Sequence, residues 1–359
     1  MVRVKLEDVC ERGTSNLKMS DVTDLSGNYP IYGAAGYIGN VDFYHQINPY
    51  VAIVKDGAGI GRAMLCPAQS SIIGTMQYLL PKKNILPRYL YYVVKYMHLE
   101  KYFTGATIPH IYFKDYKNET FNLEALERQK EIVTVLEKCE KVIEYRKREL
   151  NELDSLIKAR FVEMFGDPIY NANNLPMMCL NDLGVWNSGG TPSRTNPAYF
   201  TGEIDWYSAG ELNTLYLEGS IEKITEEAIQ ESAAKLFKAG SMLVGMYDTA
   251  AFKMGILKKA SASNQACACI EPNETVNIVW LYYSLQLMKE HFLSQRRGVR
   301  QKNLNLGMIK GFEIPIADRG KQDEFVCFAE QVDKSKVAVQ KALDETELLF
   351  DSLMQQYFG

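Results

Sequence analysis

Between residues 287 and 310 the sequence sets Lys289, Arg296, Arg297, Arg300, Lys302 and Lys310 against a single acid, Glu290. Basic groups so concentrated can neutralise phosphates, and Gln301 and Asn303 beside them carry amides that donate and accept at once. A second candidate, Lys55-Asp56-Gly57-Ala58-Gly59-Ile60-Gly61-Arg62, follows a strand-like run and is rich in glycine. Its spacing is G-x-G-x-G, and the stretch from Arg62 to Pro67 leaves no room for the helix whose N-terminus would hold a phosphate. A tight turn is expected instead, with Lys55 and Arg62 as candidate phosphate contacts. Asn48-Pro49-Tyr50 matches part of the N-P-P-Y signature of adenine methyltransferases, but one proline and any preceding glycine-rich cofactor loop are missing. His45, His98, His110 and His291 show neither metal-ligand spacing nor a paired Ser or Cys nucleophile, and no acidic pair followed by E-x-K marks a nuclease. Cys267 and Cys269 would point the same way from a strand. Without a second pair or a nearby histidine, no metal site is expected there. The groups present suit recognition better than catalysis.

The elements that must carry these groups follow from composition and periodicity. With 359 residues, 47% hydrophobic and 23% charged, the chain can bury real cores and is long enough for two or three domains. Seven scattered cysteines argue against a disulfide framework. No apolar run reaches the roughly 18 residues of a membrane span, and the opening MVRVKLEDVCERG lacks a signal-peptide core, so no membrane association and a cytoplasmic location are expected. The net charge of −4 is unusual for a binder of nucleic acid. It is unevenly distributed. Residues 124–166 hold 10 acids and 9 bases, and 317–359 hold 9 and 5, together −5, which leaves the remainder at +1.

Those two stretches are copies of each other. At a shift of 193, ten of 43 positions are identical, including Gln129 with Gln322, Glu131 with Glu324, Leu150 with Leu343 and Phe165-Gly166 with Phe358-Gly359. The same shift relates Thr120-Phe121-Asn122-Leu123 to Glu313-Ile314-Pro315-Ile316. Earlier in each half the shift falls to 174 and 177, so the second copy carries a net insertion. Four segments are expected: globular parts at 1–123 and 167–316, each followed by a helix at 124–166 and 317–359.

From Glu124 to Met164 there is neither Pro nor Gly. Heptad spacing puts Leu136, Ile143, Leu150, Ile157 and Met164 at a, with Cys139, Arg146, Leu153 and Arg160 at d. The second copy has Ala329, Lys336, Leu343, Phe350 and Tyr357 at a, and Val332, Val339, Thr346 and Leu353 at d. Seams this narrow need a partner helix, and two copies in one chain can supply it to each other. A helix of this length spans about 60 Å, enough to separate two globular parts. The globular parts read as mixed α and β, with strands at Tyr50–Lys55, Met76–Leu80 and Ser241–Gly245 and helices at Arg88–Tyr102 and Val276–Gln295. Tyr91, Tyr92, Tyr282 and Tyr283 on those helices read as core packing.

With this frame drawn, particular runs resemble one family. Ser188-Gly189-Gly190-Thr191-Pro192-Ser193, then Asn196-Pro197, Tyr199-Phe200, Gly202, Ile204 and Trp206, resembles the opening of a target recognition domain in specificity subunits of type I restriction-modification enzymes. Thr104 to Ile111, leading to Phe121-Asn122-Leu123 and Glu127-Arg128-Gln129, resembles the end of such a domain. Gly298 to Leu304, then Ile314-Pro315-Ile316 and Lys321-Gln322, is its counterpart, and Phe165-Gly166-Asp167-Pro168 resembles the usual exit from the first helix. The first half departs from the pattern, with Arg12-Gly13-Thr14-Ser15 in place of the G-G-T-P opening and a less basic terminal loop.

The resemblance implies an α+β molecule of pseudo-twofold character, its two recognition domains separated by an antiparallel coiled coil. It implies no catalysis by this chain. Double-stranded DNA with a bipartite asymmetric target would be the ligand, two modification subunits would bring S-adenosylmethionine for adenine-N6 methylation, and restriction subunits would bring ATP, Mg and cleavage. Candidate DNA contacts are then Lys55, Arg62, Thr104, Thr107, His110, Tyr112 and Lys114 in the first half, and Ser193, Arg194, Arg296, Arg297, Arg300, Gln301, Lys302 and Asn303 in the second. The competing expectations are a coiled-coil assembly scaffold that reads no sequence, or the recognition part of a single-chain restriction-methylation enzyme.

Overall fold

A computed structural model describes residues 2–23, 26–105, 109–295 and 303–359. In the first globular part, β1 (Cys10–Thr14), β2 (Tyr50–Val54), β3 (Ala63–Cys66) and β4 (Met76–Pro81) form an antiparallel sheet in the order β1-β4-β2-β3. Strand β2 reads Tyr-Val-Ala-Ile-Val and is buried throughout, because the sheet is covered on both faces. Val51, Ile53 and Leu79 pack on Tyr89, Leu90 and Val93 of helix α1 (Pro87–Tyr96). Tyr50, Ala52, Val54 and Tyr78 point the other way, towards Ile72 of a second, three-stranded sheet made of Tyr29–Gly33, Gly36–Val41 and Ser71–Ile72. The period-2 alternation of side chains thus serves two cores at once.

Helix α1 starts with proline at its first turn, where the missing N–H costs nothing. It ends at Tyr96; His98, two residues on, adopts φ 49°, and a short 3-10 turn, Leu99–Tyr102, follows. The single helix expected over Arg88 to Tyr102 is therefore two pieces. Apolar and aromatic residues continue across the break, so spacing alone could not reveal it. Beyond lies α2 (Leu126–Phe165), unbroken for 40 residues.

The second globular part repeats the plan with an addition. Strands β5 (Gly184–Ser188), β6 (Tyr216–Leu217), β7 (Met242–Gly245), β8 (Met254–Leu257) and β9 (Cys267–Pro272) run in the order β5-β9-β7-β8-β6. The edge strand β6, which pairs parallel with β8, has no counterpart in the first sheet and accounts for part of the insertion inferred from the repeat. A three-stranded sheet of Ile204–Tyr207, Glu222–Ile224 and Ala262–Ser263 lies beside it. Helix α3 (Ile278–Ser294) covers one face, and α4 (Arg319–Phe358) ends the chain. Cys267 and Cys269 are buried in β9 as free thiols, and burial pushes the Cys267 thiol up to about 12. Among the described residues no cluster of side chains could hold a metal ion.

Each globular part is closed at the root of its long helix. Val2–Lys5 pairs antiparallel with Thr120–Leu123, and Met177–Cys179 pairs antiparallel with Glu313–Pro315. The four chain-order segments are regrouped in space into two compact units, residues 1–148 with 339–359, and residues 149–338. Each unit contains one globular part, one half of α2 and the opposite half of α4. In the first unit Ile132, Leu136, Cys139 and Ile143 share a core with Phe350, Leu353, Met354 and Phe358. In the second, Leu153, Ile157, Phe161 and Phe165 share one with Phe325, Ala329 and Val332. Along the second unit α4 recedes as α2 advances, since Asp154 meets Lys336 at 2.6 Å and Arg160 meets Glu324 at 3.4 Å. Within each unit the two half-helices pack as an antiparallel coiled-coil pair.

Candidate nucleic-acid interface

The turn after β2 is built for a sharp reversal. Gly57, Gly59 and Gly61 have φ of 85°, 81° and 79°, which an L side chain adopts only under strain. At Gly61 a Cβ would also lie 2.4 Å from the Glu100 nitrogen. Gly61 N donates to Val54 O, and Val54 N to Arg62 O, so the chain turns straight into β3 with no helix at its end. The Arg62 side chain is exposed on this turn, and Lys55 is half-buried.

A backbone ladder then joins this turn to the loop that precedes α2. Lys55 N donates to Thr75 O at 3.0 Å, Ile111 N to Lys55 O at 2.9 Å, and Gly57 N to Pro109 O at 2.9 Å. A side-chain link runs alongside: His110 Nδ1 lies 2.7 Å from Asp56 Oδ1, and Lys55 Nζ lies 3.5 Å from the other carboxylate oxygen. A carboxylate only accepts, so Nδ1–H donates to it, and this bond leaves Nε2 unengaged. Thr104 pairs with His110 through two backbone bonds of 2.8 Å. Tyr112 is 49% exposed, its ring lying between His110 and Lys114, whose Nζ sits 5.4 Å from the ring centroid. Lys55, Thr104, His110, Tyr112 and Lys114, separated by up to 59 residues in the chain, thus belong to one cluster of loops.

The second unit has the same ladder at the equivalent place. Met246 N donates to Ala266 O at 2.9 Å, and Leu304 N donates to Met246 O at 2.8 Å. Asn303 Oδ1 accepts from Asp248 N at 3.0 Å. That bond uses one of the two acceptor positions of the amide oxygen, and through it Asn303 ties the two loops together. Arg296, Arg297, Arg300, Gln301 and Lys302 lie outside the described residues, as does Thr107. The turn after β7 contributes exposed Tyr247, Asp248 and Thr249, none of them singled out by the sequence. Asp248 and Phe252 take φ of 49° and 59° where the first unit uses glycines. No glycine run or basic cluster marks this turn, and only the backbone ladder makes the correspondence visible.

Arg194 plays another part than the one expected of a free base reader. Its guanidinium is bidentate to Glu222, at 2.5 and 2.7 Å, and lies over Phe200 and Trp206 with centroid distances of 4.3 and 5.2 Å. Ser193 beside it hydrogen-bonds Thr195 at 2.7 Å. The glycines of this opening motif are required by close packing: a Cβ on Gly190 would lie 2.0 Å from Ala233 O, and one on Gly189 2.3 Å from Asn264 O. Trp206 Nε1 donates to Gly190 O at 3.0 Å, and Thr191 bonds Gln265, the residue before the ladder's Ala266. The motif is a structural brace beside the loop that carries Ala266 of the ladder.

Along the helices, the seam residues face inward. Leu136, Ile157, Val332, Val339, Leu343 and Phe350 are buried, and Ile143, Leu150, Leu153 and Leu353 are half-buried. Lys336, which interrupts the second seam, is held by Asp154 and by Asp333 at 3.6 Å. Polar pairs of this kind select one register over others. Lys147 and Glu347 add a further cross-helix pair at 2.7 Å in the first unit.

Known proteins resemble the chain over most of its length. The family model described as "Type I restriction modification DNA specificity domain" matches residues 1–155 and 174–346. The specificity subunit of the type I restriction enzyme EcoR124I/EcoR124II of Escherichia coli is 22% identical over 213 residues, 57% of this chain and 52% of that protein. The MjaIX specificity subunit of Methanocaldococcus jannaschii is 26% identical over 150 residues, 40% of this chain and 34% of its own length. These alignments span about half the length of the curated relatives or less. Among solved structures, the S subunit of a type I restriction-modification system from M. genitalium shares the fold with a TM-score of 0.63 at 13% identity, covering 100% of this chain and 96% of that one. A chain from a type I restriction-modification system solved to explain complex assembly has a TM-score of 0.61 at 14% identity, covering 99% and 97%. With a repeated recognition part, a repeated helix and a family model spanning both halves, the chain belongs to the family of type I restriction-modification DNA specificity subunits.

Proposed function

We propose that this chain reads a bipartite, asymmetric DNA target, one half-site with each globular part, and directs adenine-N6 methylation and cleavage carried out by partner subunits. The observation that carries the reading is the loop ladder, whose two backbone bonds occur once in each unit while the side-chain links differ, the Asp56 carboxylate with His110 in one and the Asn303 amide oxygen with the Asp248 backbone N–H in the other. A common backbone presenting different donors and acceptors is what reading two different half-sites requires. Lys55, Arg62, Lys114 and the basic run from Arg296 to Lys302 would neutralise phosphates and set orientation, while His110, Tyr112, Tyr247, Arg300 and Gln301 would meet base edges.

Catalysis belongs to partners in this reading. Two modification subunits bring S-adenosylmethionine and flip the adenine out of the stack; restriction subunits bring ATP and Mg. The assembly works on DNA in the cytoplasm. Mapping adenine methylation across the genome with and without this chain tests the proposal directly. A split motif that vanishes with the chain supports it. An unchanged methylome would leave an assembly scaffold as the better reading, and methylation by the isolated chain would point to a single-chain enzyme.

A further inference from the structure

Each long helix carries one fully buried glutamine at the same turn, Gln129 in α2 and Gln322 in α4. A buried amide must find partners for both its oxygen and its nitrogen. The two side chains find the same ones. Gln129 Oε1 accepts from Leu86 N at 2.9 Å, while Nε2 donates to Asn84 O at 2.9 Å and Glu124 O at 2.8 Å. Gln322 Oε1 accepts from Asn277 N at 2.8 Å, while Nε2 donates to Thr275 O at 3.1 Å and Ala317 O at 2.9 Å. Leu86 and Asn277 are the residues immediately before α1 and α3. One planar amide therefore stitches together the start of the short helix, the loop that leads into it and the entrance to the long helix.

Further along, a second repeated contact fixes rotation about that stitch. Tyr92 on α1 donates its hydroxyl hydrogen to Glu140 on α2 at 2.7 Å, and Tyr283 on α3 donates to Asp333 on α4 at 3.3 Å. Apolar packing would hold the same helices together, but it is non-directional and tolerates small rotations. Three hydrogen bonds to one buried amide do not, since they weaken steeply when bent.

We propose that Gln129 and Gln322 are positioning residues that fix the orientation of each recognition part on its long helix, and through it the gap between half-sites that the protein accepts. This rests on the bipartite reading above. One extra base pair in the gap turns a half-site by about 35°, so a firmly set recognition part rejects it and a loosened one admits it.

The test uses the full chain assembled with its modification subunits, and measures adenine methylation on duplexes with the cognate gap and with one base pair added or removed. Gln322→Met removes all three bonds at similar length. Leu86→Pro removes the N–H that Gln129 accepts, together with some packing of the leucine side chain on the first core, at a residue whose φ of −75° suits proline. For any variant with wild-type helicity, the ratio of off-gap to cognate methylation is expected to rise about fivefold to tenfold, the value of roughly one net hydrogen bond. Affinity for an isolated half-site should stay unchanged. A folded variant that keeps the wild-type ratio overturns the inference, and so does one that loses half-site affinity in step with methylation. A wild-type assembly indifferent to gap length would instead overturn the bipartite reading, and this inference with it.

Discussion

The two units differ least where each globular part meets the long helices and most where it would meet DNA. Both use a buried glutamine, a tyrosine reaching an acid on the long helix and a strand pair at the root. Their loops share only a backbone ladder. A glycine-rich turn with Asp56 and His110 stands where the second unit has Tyr247, Asp248 and Asn303. Attachment has been kept alike while the exposed chemistry has diverged, as expected of one scaffold carrying two unlike readers.

The largest expected effect concerns the shared part. Phe161 is buried against Phe165, Trp280 and Phe325, so Phe161→Ala should cost about 3–5 kcal/mol and lower the melting temperature of the chain. A shift of only a degree or two would mean that this core is not what holds α2 to α3 and α4. The comparison can be sharpened on the loop side with Arg300→Ala, which should weaken binding to the cognate duplex by about 1–3 kcal/mol in a mobility-shift titration. Arg194→Ala should weaken it less, because that guanidinium is already paired with Glu222. Equal losses would undo the division between brace and reader.

A finer contrast lies within the attachments. Tyr92→Phe, which breaks a short bond to a carboxylate, should cost about 1.5–3 kcal/mol in denaturant unfolding, and Tyr283→Phe, with a longer bond, should cost less. The smallest effect is one of pH. Asp323 accepts from Asn277 and from Arg319, and these bonds hold its carboxyl below the ordinary 3.8. Its contribution is therefore present above that value and is lost as pH falls through the lowered folded one. Lys130 occupies the equivalent position in the first unit and cannot substitute for it. Asp323→Asn should lower the neutral plateau of a stability-pH curve slightly and flatten its acid limb, so that variant and wild type converge at low pH.

Particular residues show what could be read in advance. The seams of α2 and α4 were legible because a helix repeats its burial every three or four residues, and Leu136, Ile157, Leu343 and Phe350 fall on that period. Gln129 and Gln322 were visible as an identity between the copies, but nothing in the sequence told their role. Tyr247 carried no signal at all, and the pairing of Arg194 was not legible, since its partner Glu222 is 28 residues away and brought near by sheet pairing.

What the sequence determined by itself was therefore the periodic and the repeated: two long helices, two copies of one plan, and a family. Periodicity and self-similarity are local or register-preserving properties, written directly in residue order. Only the tertiary structure decided which half of each helix joins which globular part, which of the basic and polar residues are already spent on internal partners, and which loops lie side by side. Those depend on hydrogen bonds and close packing between segments far apart in the chain, where the chemistry of one residue does not specify its distant neighbour.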